Sequence, residues 1–498
     1  MTTEHQNITS NDQAPTYTTL VGTAETSEQK ENRIQMFQKL FLPSIIYACV
    51  YLLLLYKNYN SITMPLFVIA TLGYCYYCFR NLQLSVKRTL IPYTLGMLLL
   101  GISTCCTGSL FLQIFNFIGI LFLLFCMLLE QFCNVKNWTI TKYVFSLGNT
   151  VGGTISTISD FFSDMNCYRK TRTNARNKKL GFILLGIGIS IPFLILIIAL
   201  LCSADAVFAD TISHLFDFDF HFGDIIRILC VLILVLLISY CTLRFLNKRT
   251  LTEEVSDLRN FEPLIANTIL SLTSSLYLFF SFIQILYLFI GNMELPEGYT
   301  YAQYAREGFF QLLAVCILNV ILVLFFLACF KENLLMKVLL TVISCCTYIM
   351  ITSSALRMCM YIASYHLTFL RLFVLWTLLV LAILLGGILV LIYRPHFPMF
   401  RYMLVTVTSC YICFSFAHPD YWIAKYNLSP ERAEHSLLET DTEYLCGLST
   451  DAAPAIASCE EQKPWVSRYE AKVMSEYEDK GIRNFNFSIW YAFHVFQK

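Results

Sequence analysis

The sequence predicts an all-α polytopic membrane protein, with about eleven transmembrane helices and a small extracytoplasmic C-terminal segment. Three observations predict it. Hydrophobic residues make up 57% of the 498-residue chain and charged residues 14%, whereas a globular chain carries about 25% charged residues. Uncharged apolar stretches of about 20 residues, the length that crosses a hydrocarbon core, recur along the chain. Lysine and arginine also alternate between connections. One set of flanks, from Lys30 to Arg401, holds 22 of them, and the alternate set holds Lys57, Arg227, Arg306 and Arg371. Cytoplasmic flanks carry the positive excess, so the first set faces inward.

Residues 1–35 are polar, with almost no large apolar side chains. Such a segment cannot bury enough surface to offset its ordering entropy, and it reads as a disordered cytoplasmic tail with no secretory signal. Apolar runs follow at 40–56, 61–79, 89–107, 109–130, 180–202, 225–245, 263–291, 308–330, 337–364, 369–393 and 398–417. The third is the weakest, because only Gly108 separates it from the fourth. An odd number of spans starting inside leaves the end outside. The expected organisation is therefore a tail at 1–35, a helix bundle at 36–417 with a cytoplasmic loop at 131–179, and an extracytoplasmic segment at 418–498, in the cell membrane.

Within the long loop, Ile155, Ile158, Phe162 and Met165 recur at helical spacing ahead of the basic run 168–179. They suit a short interfacial helix, although the basic residues are explained more simply as fixing orientation. Gly148–Gly153 lacks the lysine and framing of a phosphate loop and reads as a hinge. In the final segment, Ser467 and Glu470 form a capping box, with Gly481 as a stop, which predicts a helix over 468–480. The aromatic end, 482–498, should pack on this segment or lie at the bilayer surface. About 80 residues make a small core, so docking onto the outer loops is expected.

The unusual polar residues gather on the outward side. Residues 203–224 contain Asp205, Asp210, Asp217, Asp219 and Asp224 with His214 and His221, and phenylalanines alternate through 216–222 as in an extended strand. Asp210 and His214 share a helix face. Ligand sets are seldom so loosely spaced, however, and we assign no metal and no other cofactor. Thr300, Tyr304, Glu307 and Gln311 form one polar stripe, with Arg306 pointing elsewhere. Glu307 precedes Lys331 by 24 residues, about 36 Å of helix, so the Arg306–Glu307 pair sits at the outer boundary. Arg357, Tyr361 and Tyr365 are successive fourth residues beside His366. Arg357 at that depth needs a partner, with Asp205, Glu307 and Asp420 as candidates. The hypothetical outward-facing cluster is thus Asp205, Asp210, Thr300, Tyr304, Arg306, Glu307, Arg357, Tyr361, Tyr365 and His366.

Other signals are weaker. The CxxC spacings at Cys75–Cys78 and Cys410–Cys413 lie inside apolar spans, where no polar surroundings stabilise a thiolate. Cys446 and Cys459 lie in the outer segment, and nothing in the sequence brings them together. A net charge of +1 offers no basic face for nucleic acid. There is no HExxH and no nucleophile elbow, and we assign no catalytic residue.

The blocks SADAVF at 203–208, EGYTYAQYAREGFFQL at 297–312, ALRMCMYIASYHLTFLRLFVLW at 355–376 and YLCGLSTDAAPAI at 444–456 resemble a multi-pass membrane family. It is known as domain of unknown function 4173, with its relative 4153. The chain departs from the pattern at His366, where a glycine is expected. The resemblance implies a bacterial cytoplasmic-membrane protein and supplies no activity, substrate or cofactor.

The functional expectation is a transporter-like or accessory or sensor protein with an outward-facing polar cluster. The alternative is a membrane enzyme acting on a lipid-linked or cell-envelope substrate at the outer leaflet. The expected partners are the lipid bilayer and an envelope partner or small molecule at the outer face.

Overall fold

The structure is a computed structural model that describes residues 27–135, 138–171, 222–248, 259–286, 301–429, 439–458, 464–478 and 482–497, with a few positions between 197 and 208. The side chains of 301–308 lie outside that description. The helices are α1 (Ser27–Leu55), α2 (Thr63–Asn81), α3 (Ile91–Cys106), α4 (Leu110–Phe132), α5 (Ile140–Ser156) and α6 (Ile158–Thr171). Next come α7 (Phe222–Asn247), α8 (Pro263–Gln284), α9 (Tyr301–Cys329), α10 (Leu334–Tyr365), α11 (Phe369–Tyr393) and α12 (Met399–Phe416). The final segment adds α13 (Pro419–Asn427), α14 (Glu439–Gly447), α15 (Ala453–Ala457), α16 (Pro464–Glu478) and α17 (Phe487–Phe496).

The fold is all-α and polytopic, with nine helices among the described residues long and apolar enough to cross a membrane. The second expected span is present as α2, a 19-residue helix beside α1 and α3 that is less apolar than those nine. The fifth, at 180–202, lies mostly outside the described residues. The third and fourth are separate helices, joined by a turn at Thr107–Ser109.

The bundle exposes apolar side chains that a water-soluble protein would bury. On α8 the buried face carries Ala266, Leu270, Ser274, Ser281 and Gln284, while Leu264, Leu272, Leu276 and Phe279 are exposed. Apolar side chains face outward because lipid solvates them, and small and polar residues face inward, where backbones approach and hydrogen bonds glue helices together. Tyr277 Oη donates to Asn319 Oδ1 at 2.7 Å, and Asn319 Nδ2 donates to Thr347 Oγ1 at 2.9 Å, joining α8, α9 and α10. Ser103 and Ser415 do the same for α3 and α12, at 2.6 Å. Among the described residues there are two apolar cores. One takes α8–α11 with the C-terminal helices, and the other takes α1–α7 with Phe400, Leu404, Tyr411 and Phe414 of α12.

The region 131–179 differs from its sequence reading. Its described part, 138–171, forms two helices that break at Thr157, and Gly148–Gly153 is continuous α5 with no hinge. Gly153 is needed for a different reason: a Cβ there would overlap the Phe245 ring of α7. Ile155 and Phe162 are exposed, and α6 instead turns Phe161 and Asp164 inward. Asp164 accepts hydrogen bonds from Tyr240 Oη at 2.8 Å and Arg244 Nε at 2.9 Å, with Arg33 Nε at 3.8 Å.

The C-terminal helices dock on three loops that the charge asymmetry assigns to the outer side. In the 57–62 loop, Asn58 Nδ2 donates to the Arg483 carbonyl at 2.9 Å and Ile62 N to the Phe485 carbonyl at 2.8 Å. Asn486 Nδ2 donates to the Asn60 carbonyl at 2.6 Å and to the Thr107 carbonyl at 3.0 Å. Asn427 pairs with both backbone groups of Leu367, each at 2.8 Å. Ser467 lies inside α16, which begins at Pro464, so the capping box is not used; proline is preorganised for a first helical position. Gly481 lies outside the described residues.

Gly108 marks the tightest part of this docking. A Cβ there would overlap Thr450 Oγ1 and stand 3.2 Å from the Thr450 backbone nitrogen. Gly108→Ala is expected to weaken docking by about 1–3 kcal/mol, as overpacking does. The measurement is hydrogen exchange across 450–456 in the full chain, and unchanged protection would refute the packing argument.

Candidate functional site

The expected cluster is only partly within view. Asp210 and Thr300 lie outside the described residues, as do the phenylalanine alternation and His214; Tyr304, Arg306 and Glu307 lie on α9 without described side chains. Asp205 is exposed and accepts from Phe208 N at 3.4 Å. Arg357 is buried and donates at 3.3 Å to Gln284 Oε1, which also accepts from Ser353 at 2.6 Å. The partner shown for it is therefore an amide. Asp420, one carboxylate proposed for it, instead accepts from Ser449 N and Oγ at 3.3 and 2.5 Å.

The structure does bring Tyr361, Tyr365 and His366 together, around Arg371. Its guanidinium stacks on the Tyr361 ring at 4.1 Å and donates to the carbonyls of Tyr365 and His366. His366 ends α10 with φ 66 and ψ 166, a region that strongly favours glycine. The expected family glycine thus has a backbone reason. Arg371 closes the orphan carbonyls of the helix end.

The more complete site lies where the C-terminal segment meets the bundle. α12 ends at Phe416 and Pro419 opens α13, so the chain must turn sharply in between, and His418 takes the left-handed conformation at φ 48. That costs about 1–2 kcal/mol for a residue with a Cβ, and a contact holds it there. His418 Nδ1 lies 3.3 Å from Asp451 Oδ2. The Asp451 side chain is fully buried, in the short turn Thr450–Ala452. It also accepts from Thr107 Oγ1 at 2.6 Å, Gly108 N at 2.8 Å and Ser488 Oγ. Ser488 is presented by the first turn of α17, capped by Asn486 Oδ1, which accepts from Ser488 N at 2.9 Å.

A cavity of about 240 Å³ opens beside this group, lined by Cys106, His418, Tyr421, Pro454, Phe487 and Tyr491 among others. The His418 side chain is 37% exposed, so the ring reaches it. The hydrogen bond that His418 donates to Asp451 raises the His418 pKa above its ordinary 6.5, against an opposing effect of burial. Burial alone would raise Asp451, but His418, Ser488 and Thr107 outweigh it and leave that carboxyl below 3.8. Burial raises Asp420, against the Ser449 hydrogen bonds.

These directions set a pH window. The raised His418 pKa stabilises docking below pH 6.5 and loses that contribution as pH rises through the shifted value. The lowered Asp451 pKa stabilises docking above pH 3.8 and loses it on acidification through the shifted value. Asp420 acts oppositely, its burial cost easing as it protonates. Taken together, His418 and Asp451 favour docking most between pH 3.8 and 6.5, and Asp420 takes part of that back as pH rises through its raised value. In His418→Asn, which tolerates the left-handed conformation, hydrogen exchange at 450–456 corrected for intrinsic rate should lose the alkaline limb. A wild-type-like alkaline limb would refute the assignment.

Sequence reasoning missed His418, Asp451, Ser488, Thr107 and Gly108. The block at 444–456 contains Asp451, but nothing in its spacing points to a site. Among the described residues no group of three metal-ligating side chains occurs.

Lipid-facing apolar helices, polar interhelical bonds and a docked helical segment define a polytopic α-helical membrane protein. A family model described as domain of unknown function (DUF4153) matches residues 94–459, and the chain belongs to this family. The match falls on the relative named with the resemblance above, and it spans Thr107, Gly108, His418 and Asp451. No curated protein and no solved structure matches the chain significantly.

Proposed function

We propose that the chain is an accessory or sensor protein of the cell membrane, with its N-terminus cytoplasmic and its C-terminal segment outward. In this reading a small molecule or envelope component binds in the cavity where that segment meets the bundle. The observation that carries the reading is the His418–Asp451 pair: a strained histidine held by a saturated, buried carboxylate at the wall of a cavity. The lysine and arginine asymmetry supports the orientation. A cysteine at exposed Ser458 should react with an impermeant maleimide in intact cells.

A second reading, transporter-like, is favoured by the polar seam through α8, α9 and α10. It runs from Tyr277, Asn319 and Thr347 to Gln284, Ser353 and Arg357, and ionisable groups at membrane depth often mark pathways. One comparison separates the two. The lipid and metabolite profile of cells lacking the protein should be reproduced by His418→Asn and not by Arg357→Gln. If Arg357→Gln alone reproduces it, and proteoliposomes show solute flux, the transporter reading replaces the first. An enzyme reading would require a product that accumulates with wild type and not with His418→Asn.

A further inference from the structure

We propose that the cavity beside His418 holds the polar head of a membrane phospholipid, with a headgroup oxygen accepting a hydrogen bond from His418 Nε2. This rests on the reading of the docked segment as the binding face. The available hydrogen-bonding capacity decides the ligand's polarity. Asp451 already receives Thr107, Gly108, Ser488 and His418. Thr450 and Ser488 hydroxyls are bonded to each other at 2.8 Å, and Asp420 Oδ2 is taken by Ser449. Asp451 has no capacity left to hold a cation, and Asp420 is not part of the cavity wall.

What remains is a donor. A carboxylate beside Nδ1 makes that nitrogen the N–H donor and favours the imidazolium, in which Nε2 also carries a proton. Nε2 has no hydrogen-bond partner among the described residues. The charged groups facing the ring are Asp451 and Asp420. One imidazolium against them disfavours a multiply charged anion and suits a single phosphate diester or ester oxygen.

The rest of the wall decides the ligand's other half. Pro454, Phe487, Tyr421 and Tyr491 present apolar or aromatic surface. Cys106 is the last residue of α3 and Ala417 directly follows α12, so the cavity floor lies at the ends of two spans. Phe487, Tyr491 and neighbouring Trp422 are about half exposed, and aromatic rings of this kind sit at headgroup level. The volume, about 240 Å³, is below the roughly 300–1,000 Å³ of sites that enclose a whole drug-sized ligand. It accommodates a head and leaves the acyl chains to run out past Phe487 and Tyr491 into lipid.

The test uses the full chain in bilayers containing a phospholipid with a photoactivatable group next to its glycerol, with adducts mapped by peptide mass spectrometry. Adducts are expected within 417–421 and 487–491. They should fall about tenfold in His418→Asn, as loss of one charge-assisted hydrogen bond predicts. They should fall similarly in Cys106→Trp, which fills the cavity without touching the histidine. Labelling of the lipid-facing Leu272 and Leu276 should stay constant in both, which reports intact folding. Adducts at 487–491 that neither variant reduces would overturn the proposal, because the lipid would then only pass the rim. Full competition by water-soluble glycerol phosphate would also overturn it, in favour of a soluble phosphate ester, and the binding-face reading would survive. No adducts, with the cellular profile still altered by His418→Asn, would separate failure of the lipid assignment from failure of that reading.

Discussion

Asp451→Ala is expected to release the C-terminal segment from the bundle. The carboxylate is fully buried and satisfies four donors from three separate parts of the chain: Thr107 and Gly108, Ser488, and His418. Removing it leaves the Gly108 N–H and the Thr107 and Ser488 hydroxyls without their acceptor and takes the counter-charge away from His418. Breaking a buried pair by removing one partner costs about 3–5 kcal/mol, a large share of a total stability of about 5–15 kcal/mol. Limited proteolysis and hydrogen exchange over 439–497 in the intact protein should show loss of protection there, with α8–α11 unaffected. Asp451→Asn should cost less, since its amide oxygen still accepts from Gly108 or Thr107 but cannot balance the imidazolium. Unaltered protection in Asp451→Ala would mean the docking is carried by other contacts, such as Asn427 and Asn486.

Asp164→Ala should free α6 from the bundle and lower the thermal unfolding temperature in detergent. Asp164 has no exposed side-chain surface and Arg244 has 7%, so the alanine variant strands a guanidinium and the Tyr240 hydroxyl in the interior. The expected cost is again about 3–5 kcal/mol. The double replacement Asp164→Leu with Arg244→Met removes the buried pair, leaves the part-exposed Arg33 to turn outward, and should recover much of that loss, because well-packed apolar residues replace a buried ion pair at little or no cost. A double variant as unstable as Asp164→Ala would show that the site needs the charges themselves.

Several features were legible in the sequence because they are local. Hydropathy and length alone locate the nine apolar spans seen among the described residues. The break at Thr107–Ser109 was foreshadowed by Gly108. Arg357 was marked as needing a partner, and one group it meets, the Gln284 amide, carries no charge and gives no signal. The hinge at Gly148–Gly153 failed because a helix accepts glycines wherever a neighbour must come close, as the Phe245 ring does. The capping box at Ser467 failed because Pro464 starts the helix a turn earlier.

The chain by itself determined its class and the approximate places of its helices, because lipid imposes a per-segment cost that any apolar run must meet. Only the tertiary structure decided the site. Thr107 and Asp451 are 344 residues apart, and Asn58 and Arg483 are 425 apart. Single histidines, aspartates and serines in loops have no periodicity by which such pairs could be read. They become a site because helices of fixed length bring their ends to one face of the bundle, where a buried carboxylate must find its donors or not be buried at all.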